Sequence, residues 1–169
     1  MINPALLKLT TPSDCEIAMT RVFDAPPTLV FAAITQPELV RLWMLGPPGW
    51  SMPVCEIDLR VGGSIRYVWR RDSNGTEMGL RGVIREVVPP SRFVATEVFD
   101  QSWYPGEAVG TFVLTEQAGK TTLTETVLYE SREARDSVIK SGIEQGVAAS
   151  FDRLAEVLAA GSANGASAQ

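Results

Sequence analysis

The sequence predicts an α+β domain in which a largely antiparallel sheet packs against one long C-terminal helix. Apolar runs between residues 54 and 129 are separated by short turn signals. This favours an antiparallel meander, because parallel pairing would require long crossovers. The last part of the chain carries an apolar stripe at helical period, made of Val138, Ile139, Ile143, Val147, Phe151, Leu154 and Leu158.

The first predicted elements are one strand and two short helices. The strand covers residues 15–23 and ends before Pro26 and Pro27. Consecutive prolines suit a helix start, because the amide that proline lacks would have no partner there. The helices are predicted over residues 28–34 and 38–42, where short apolar stripes occur.

A series of strands follows, and the final helix closes the domain. The strands are predicted at residues 54–59, 64–70, 77–88, 92–99, 108–116 and 121–129, for a sheet of about six to seven strands. Asn74-Gly75 is the clearest hairpin turn between them. The helix is predicted over residues 132–160 with Ser131 as its N-cap.

The domain is therefore expected at residues 14–160. Residues 1–13 show no clear period and are interpreted as an N-terminal arm. Residues 161–169 are Gly, Ser, Ala, Asn and Gln, which cannot bury a core, so a disordered tail is expected.

The composition limits the partners that the chain can take. A net charge of -5 argues against nucleic acid, which requires a basic surface. No apolar run is long enough to cross a bilayer, and the first residues lack the pattern of a secretory signal. We therefore expect a cytoplasmic protein without membrane insertion.

The chemistry that is open to the chain is limited as well. Histidine is absent, and Cys15 and Cys55 do not have metal-binding spacing, so no metal and no cofactor is expected. Any catalysis would have to use carboxylates, Tyr, Lys, Arg or bound water.

Small residues recur along one side of the final helix, at Gly142, Gly146 and Ala149, with Gln145 nearby. Glycine inside a helix costs about 0.8–1 kcal/mol relative to alanine, so the two glycines require a reason. One reason is close packing of a neighbouring strand. The other is empty volume between the helix and the sheet, which a ligand could fill.

Aromatic and methionine side chains cluster around the same space. Together with the helix flank they form the predicted ligand-binding set, which is Trp43, Trp69, Met78, Phe99, Trp103, Tyr104, Gly142, Gln145, Gly146 and Ala149. Such a lining suits an apolar or ring-shaped molecule. The alternative is that these side chains simply fill the core or its rim.

Two carboxylates are predicted to point inward. Glu97 and Glu125 each alternate with apolar residues along a strand, so they share the buried face. A buried carboxylate needs a partner or a raised pKa, which makes both candidates for a catalytic role. Tyr67 or Arg81 would then polarise a carbonyl. The alternatives are a structural ion pair with Arg66, Arg81 or Arg85, or a strand that presents its other face to the interior.

Several short segments resemble those of a known family. They include Asp24-Ala25-Pro26-Pro27, Asp58-Leu59-Arg60-Val61-Gly62-Gly63, Glu144-Gln145-Gly146 and Asp152-Arg153-Leu154-Ala155. Over residues 14–160 the chain resembles bacterial homologues of the activator of the ninety-kilodalton heat-shock-protein ATPase, in the START-like (SRPBCC) superfamily. The resemblance implies a helix-grip fold, with a curved sheet wrapped around the C-terminal helix and a hydrophobic cavity between them.

The resemblance also implies a range of functions. Relatives bind lipids, sterols, polyketides or plant hormones, and some cyclise or hydrate their ligand. The first hypothesis is therefore binding of a small apolar or aromatic molecule. The second is a cyclase, dehydratase or hydrolase that uses Glu97 or Glu125, and the third is a co-chaperone. A homodimer is common in the superfamily, whereas a chaperone partner is not expected from a single START-like domain.

Overall fold

The computed structural model describes residues 6–166, and the side chains of residues 6–161. Eight antiparallel strands form one curved sheet in the order β1-β2-β8-β7-β6-β5-β4-β3. The predicted α+β class is confirmed, with slightly more strands than predicted. The strands are β1 Lys8–Thr10, β2 Glu16–Phe23, β3 Trp50–Ile57, β4 Ser64–Arg71, β5 Glu77–Val88, β6 Arg92–Phe99, β7 Ala108–Gln117 and β8 Lys120–Leu128.

Four helices accompany the sheet. They are α1 Pro27–Thr35, α2 Pro37–Trp43, α3 Arg132–Lys140 and α4 Ile143–Ala166. Proline stands at the start of both α1 and α2, as the sequence predicted. The predicted N-cap of α3 is also present, because the Ser131 side chain accepts a hydrogen bond from the Ala134 amide at 3.0 Å. Among residues 6–166, no helix is both long and apolar enough to cross a membrane.

The N-terminal arm contains a strand that the sequence did not predict. β1 pairs antiparallel with β2, placing Lys8 opposite Thr20 and Thr10 opposite Ala18. A strand of three residues is too short to show a period, so only its partner reveals it. Residues 1–5 of the predicted arm lie outside the described part of the chain.

The prediction of one unbroken final helix is wrong. Gly142 has φ +85°, a left-handed conformation that ends α3, and α4 begins at Ile143. Glycine adopts this conformation without the clash that a Cβ would create, which is why it commonly follows a helix end. α4 then continues to Ala166, into the segment interpreted as a disordered tail, whereas residues 167–169 lie outside the described residues.

Two alanine substitutions should distinguish the roles of the helix glycines. Gly142→Ala forces a side chain into a left-handed conformation and should lower the free energy of unfolding by about 1–2 kcal/mol. Gly146→Ala is the matched control. A Cβ at Gly146 would meet Pro47 Cδ at an ordinary 3.7 Å, so the higher helix propensity of alanine should stabilise by up to about 1 kcal/mol. Urea denaturation measures the change in the free energy of unfolding for each variant. If both changes had the same sign, Gly142 would not differ from Gly146 in the conformation that it requires.

The core lies between the sheet and the helices. Phe151, Leu154 and Leu158 of α4 pack in the larger cluster with residues of α1, α2 and the strands. Val138 of α3 belongs to a second cluster near β2 and β8. Ile139, a member of the predicted stripe, is instead 37% exposed, because the break at Gly142 separates the α3 face from the α4 face.

Candidate functional site

A cavity of about 590 Å³ lies between the concave face of the sheet and the last two helices. Strands β4 to β8 supply one wall through their inward-facing residues, whereas α3 and α4 supply the opposite wall. The segment between α2 and β3, from Met44 to Pro47, closes one side. This is the space in which the sequence analysis expected a ligand.

Aromatic rings form a continuous wall along the cavity. Successive ring centroids are 5.8 Å apart for Tyr67–Trp69, 6.4 Å for Trp69–Phe99, 4.9 Å for Phe99–Trp103, 5.3 Å for Trp103–Tyr104 and 5.3 Å for Tyr104–Tyr129. All five contacts are tilted or edge-to-face, and ring quadrupoles favour edge-to-face over face-to-face stacking. The wall thus crosses from β4 to β6, to the loop after β6, and to the end of β8.

Hydrogen bonds fix two of the indole rings. Trp69 Nε1 donates to the Met44 carbonyl oxygen at 2.7 Å, which links the sheet to the segment after α2. Trp43 Nε1 donates to the Ala33 carbonyl oxygen at 2.8 Å, and Trp43 is only 2% exposed. Trp43 is therefore mainly a core residue with one edge on the cavity, whereas Trp69 is part of the wall itself.

Glu97 and Glu125 provide the acidic groups of the cavity. They stand on β6 and β8, and the strand between them, β7, places Ala108 opposite Glu97 and Phe112 opposite Glu125. Both side chains line the cavity, and each is half-buried because its exposed part faces the cavity. Within residues 6–166, no protein group donates a hydrogen bond to either carboxyl.

Burial changes the ionisation of this pair. Loss of solvent raises the pKa of Glu97 to about 7. Loss of solvent, followed by the charge of Glu97, raises the pKa of Glu125 to about 8. At pH 7 Glu125 is therefore largely protonated, whereas Glu97 is divided between its acid and its carboxylate form.

Gly110 makes room for Glu97, and sequence analysis missed it. A Cβ at this position of β7 would lie 2.7 Å from Glu97 Oε1, closer than such atoms normally approach. Gly110 pairs with Ala95 on one side and with Val127 on the other, so it lies between the two acidic strands. The available signal was a glycine inside a strand, which often marks such a close approach.

Three tyrosines surround the carboxyls. Burial raises the pKa of Tyr67 well above its usual value, and the charges of Cys55, Glu97 and Glu125 add to this effect. The pKa values of Tyr104 and Tyr129 are also raised, first by burial and then by Glu97. All three phenols therefore remain neutral hydrogen-bond donors. Tyr129 was not among the predicted site residues.

The structure brings most of the predicted candidates to one cavity and excludes three of them. Its lining includes Trp43, Tyr67, Trp69, Met78, Glu97, Phe99, Trp103, Tyr104, Glu125, Gly142 and Gly146. Gln145 and Ala149 are not part of the lining, to which α4 instead contributes Ile143, Gly146, Val147, Ser150 and Phe151. Arg81 is on the outer face, 59% exposed, and Nη1 pairs with Asp100 Oδ1 at 3.2 Å.

Gly146 marks a close contact between α4 and the segment after α2. The Gly46 amide donates to Ser150 Oγ at 2.9 Å, and Arg153 Nη1 donates to the Gly46 carbonyl oxygen at 2.8 Å. Gly146 lies beside Pro47 and lines the cavity. Its neighbour is not a strand, and an added Cβ would fit at an ordinary 3.7 Å, so close packing of a strand does not account for this glycine.

Comparison with known proteins assigns the family. The family described as "Activator of Hsp90 ATPase homolog 1-like protein" matches residues 24–159, most of the chain. The chain belongs to this family. The resemblance seen in the sequence is thereby confirmed, within the START-like superfamily. None of the curated proteins compared with the chain matches it.

Solved structures of similar proteins agree with this assignment. A crystal structure from Rhodobacter sphaeroides has a TM-score of 0.86 and 32% identity, covering 92% of this chain and 99% of that one. One from Nitrosomonas europaea has a TM-score of 0.80 and 24% identity, covering 90% and 99%. The AHSA1 protein from Silicibacter pomeroyi has a TM-score of 0.67 and 23% identity, covering 85% and 97%. The last two support the fold alone.

Proposed function

We propose that the protein binds a small hydrophobic or aromatic molecule, such as a lipid or a polyketide-like metabolite, in the cavity between the sheet and the C-terminal helices. The observation that carries the proposal is the cavity of about 590 Å³ with its continuous aromatic wall. Its volume is within the range of small-molecule sites, which are mostly apolar with a few polar groups that fix orientation.

The energetics favour an apolar occupant. Transfer of apolar surface from water contributes roughly 25 cal/mol for each Å² that is buried. The hydrogen bonds of Trp69 and of Gly46 hold the wall and the adjoining segment in place before binding, so little ordering would oppose association. The family fold, which commonly binds hydrophobic ligands, supports the same proposal.

A ligand screen tests the proposal directly. Apolar and aromatic compounds that bind the folded state should raise the melting temperature, by the equivalent of about 2.7 kcal/mol when the ligand concentration is 100 times its Kd. Native mass spectrometry of the purified protein should show one bound molecule. A screen across sizes that fit the cavity, in which no compound raises the melting temperature, would contradict the proposal.

Gly146→Leu should weaken binding of any such ligand. The added side chain begins 3.7 Å from Pro47 Cδ, at the edge of the cavity, so it competes with the ligand for volume. We expect at least a tenfold increase in Kd, because a leucine side chain amounts to several buried methylene groups. Gly146→Ala is the matched control and should bind as the unchanged protein does. Equal affinity for the leucine and alanine variants would count against this flank as a cavity wall.

One observation favours a second function, acid–base catalysis by a cyclase-, dehydratase- or hydrolase-type enzyme. The pKa values of about 7 and about 8 for Glu97 and Glu125 lie where a carboxyl can both donate and accept a proton. Turnover of a bound apolar carbonyl compound should then be lost in Glu97→Gln or Glu125→Gln while binding persists. Equal turnover in both variants and in the unchanged protein would exclude this role.

A further inference from the structure

The ionisable groups along the cavity are strongly biased toward acids. Among the described residues, those on the lining are the carboxyls of Glu97 and Glu125, the phenols of Tyr67, Tyr104 and Tyr129, and one cation, Arg71. Arg71 is exposed, is the last residue of β4, and lies over the Trp50 ring at 5.0 Å. The described interior therefore offers acids and phenols, and no basic side chain beside them.

Among the side chains of residues 6–161, the two carboxyls lack the partners that buried acids normally have. The arginines that the sequence offered as partners point elsewhere: Arg66 and Arg81 both pair with Asp100, and Arg85 pairs with Glu107. These pairs lie on the opposite face of the sheet from the cavity. Glu97 and Glu125 thus have unused acceptor capacity that is directed at the cavity.

The aromatic rings around the two carboxyls also favour a positively charged ligand. An aromatic face carries negative quadrupole potential and attracts cations, most strongly where water is excluded. Phe99, Tyr104 and Tyr129 are in contact with one another along the wall, and the charge of Glu97 reaches both tyrosines. Carboxylates together with aromatic faces form a recognition site for an ammonium group.

We propose that the ligands of this cavity are hydrophobic amines, whose ammonium group pairs with the carboxyls of Glu97 and Glu125 while the apolar body packs against the aromatic wall. This inference rests on the proposed binding function and specifies its ligand class. An anionic ligand would oppose ionisation of both acids, and the one basic side chain on the described lining, Arg71, stands at the end of β4. A neutral ligand can accept a hydrogen bond from a protonated carboxyl, but it offers no charge to an ionised one. A cation is the ligand that stabilises the ionised form of either carboxyl.

Binding of an amine should change the number of protons that Glu97 and Glu125 hold. Near pH 7 Glu125 is largely protonated and Glu97 is partly so, and a bound ammonium group favours loss of a proton. Binding of an amine should therefore release a proton from a carboxyl to the buffer. The neutral phenols of Tyr67, Tyr104 and Tyr129 keep theirs, and Arg71 is at the far end of β4.

Three matched probes test the inference. They are 1-naphthylmethylamine, 1-naphthalenemethanol and 1-naphthoate, which share a ring system and differ in charge. Titration calorimetry at pH 6.5 in phosphate and in ACES measures affinity and proton release together. We expect the amine to bind at least tenfold more tightly than the alcohol, since hydrogen bonds to charged groups are stronger than those between neutral groups. The naphthoate should bind most weakly, and proton release should accompany the amine alone.

Substitution of the two glutamates tests whether they cause the preference for the amine and the proton release. Glu97→Gln combined with Glu125→Gln should remove the preference for the amine and its proton release, while the alcohol still binds. Glu116→Gln, on an exposed residue at the end of β7, is the control and should retain both. Equal affinity of the unchanged protein for the amine and the alcohol would overturn the inference and leave the binding function standing. If none of the three probes binds, this inference fails, and the wider screen for a rise in melting temperature decides the binding function.

Discussion

Raising the pH from about 5 to about 8 should progressively destabilise the folded protein. Glu97 and Glu125 have pKa values of about 7 and about 8 in the fold, against an ordinary value of 4.5. Between the ordinary pKa and the raised values, the folded state holds more protons than the unfolded state, so the free energy of unfolding falls as pH rises. The stabilisation is complete below about 4.5 and is lost as the pH passes through the folded values. Each carboxyl contributes at most about 1.4 kcal/mol per pH unit.

Urea denaturation at intervals between pH 5 and pH 8 measures this dependence. Glu97→Gln combined with Glu125→Gln should flatten it, because glutamine has the size of glutamate and no proton to lose. Glu116→Gln is the matched control on the surface and should leave the slope unchanged. A slope that survives in the double variant would show that neither carboxyl is responsible. Ligand must be absent, because a bound amine would itself shift the ionisation.

Gly110→Val should destabilise the protein by about 1–3 kcal/mol and disturb the acidic end of the cavity. Even the first added carbon would lie 2.7 Å from Glu97 Oε1, so the glutamate must move or the strands must separate. Inserting atoms into a packed interior typically costs this much. The effect should be visible as a lower denaturation midpoint and a weaker preference for the amine probe.

A double-mutant cycle identifies the clash. In a Glu97→Ala background the obstructing carboxyl is gone, so the cost of Gly110→Val should fall to near zero or change sign, since valine suits a strand. The coupling energy between the two substitutions should exceed about 0.5 kcal/mol, because the free-energy changes of independent sites are additive to within that amount. Additive effects would mean that Gly110 is required for a reason other than Glu97.

The strands show how much local pattern could predict. β5 and β6 begin and end at the predicted residues, and the hairpin at Asn74-Gly75 joins β4 to β5. The inward direction of Glu97 and Glu125 was also predicted correctly. All of this follows from side-chain alternation along a strand and from turn chemistry, which depend only on near neighbours in sequence.

The helices show where local pattern fails. An apolar stripe runs through Gly142 at helical period, and the period alone indicated one helix. The left-handed backbone at Gly142 separates α3 from α4, and the cavity lining includes Gly142 and Gly146 but neither Gln145 nor Ala149. A glycine tolerates both helical and left-handed conformations, so its sequence context could not decide between them.

The sequence by itself therefore determined the α+β class, the family, and which faces of the strands are buried. Tertiary structure alone decided that Arg81 pairs with Asp100 on the outer face, that Gly110 makes room for Glu97, and that about 590 Å³ between sheet and helices stays open. The physical reason is that the side a residue faces is a local property of the backbone. The volume left between facing elements depends on side chains from distant parts of the chain, which meet only in the folded protein.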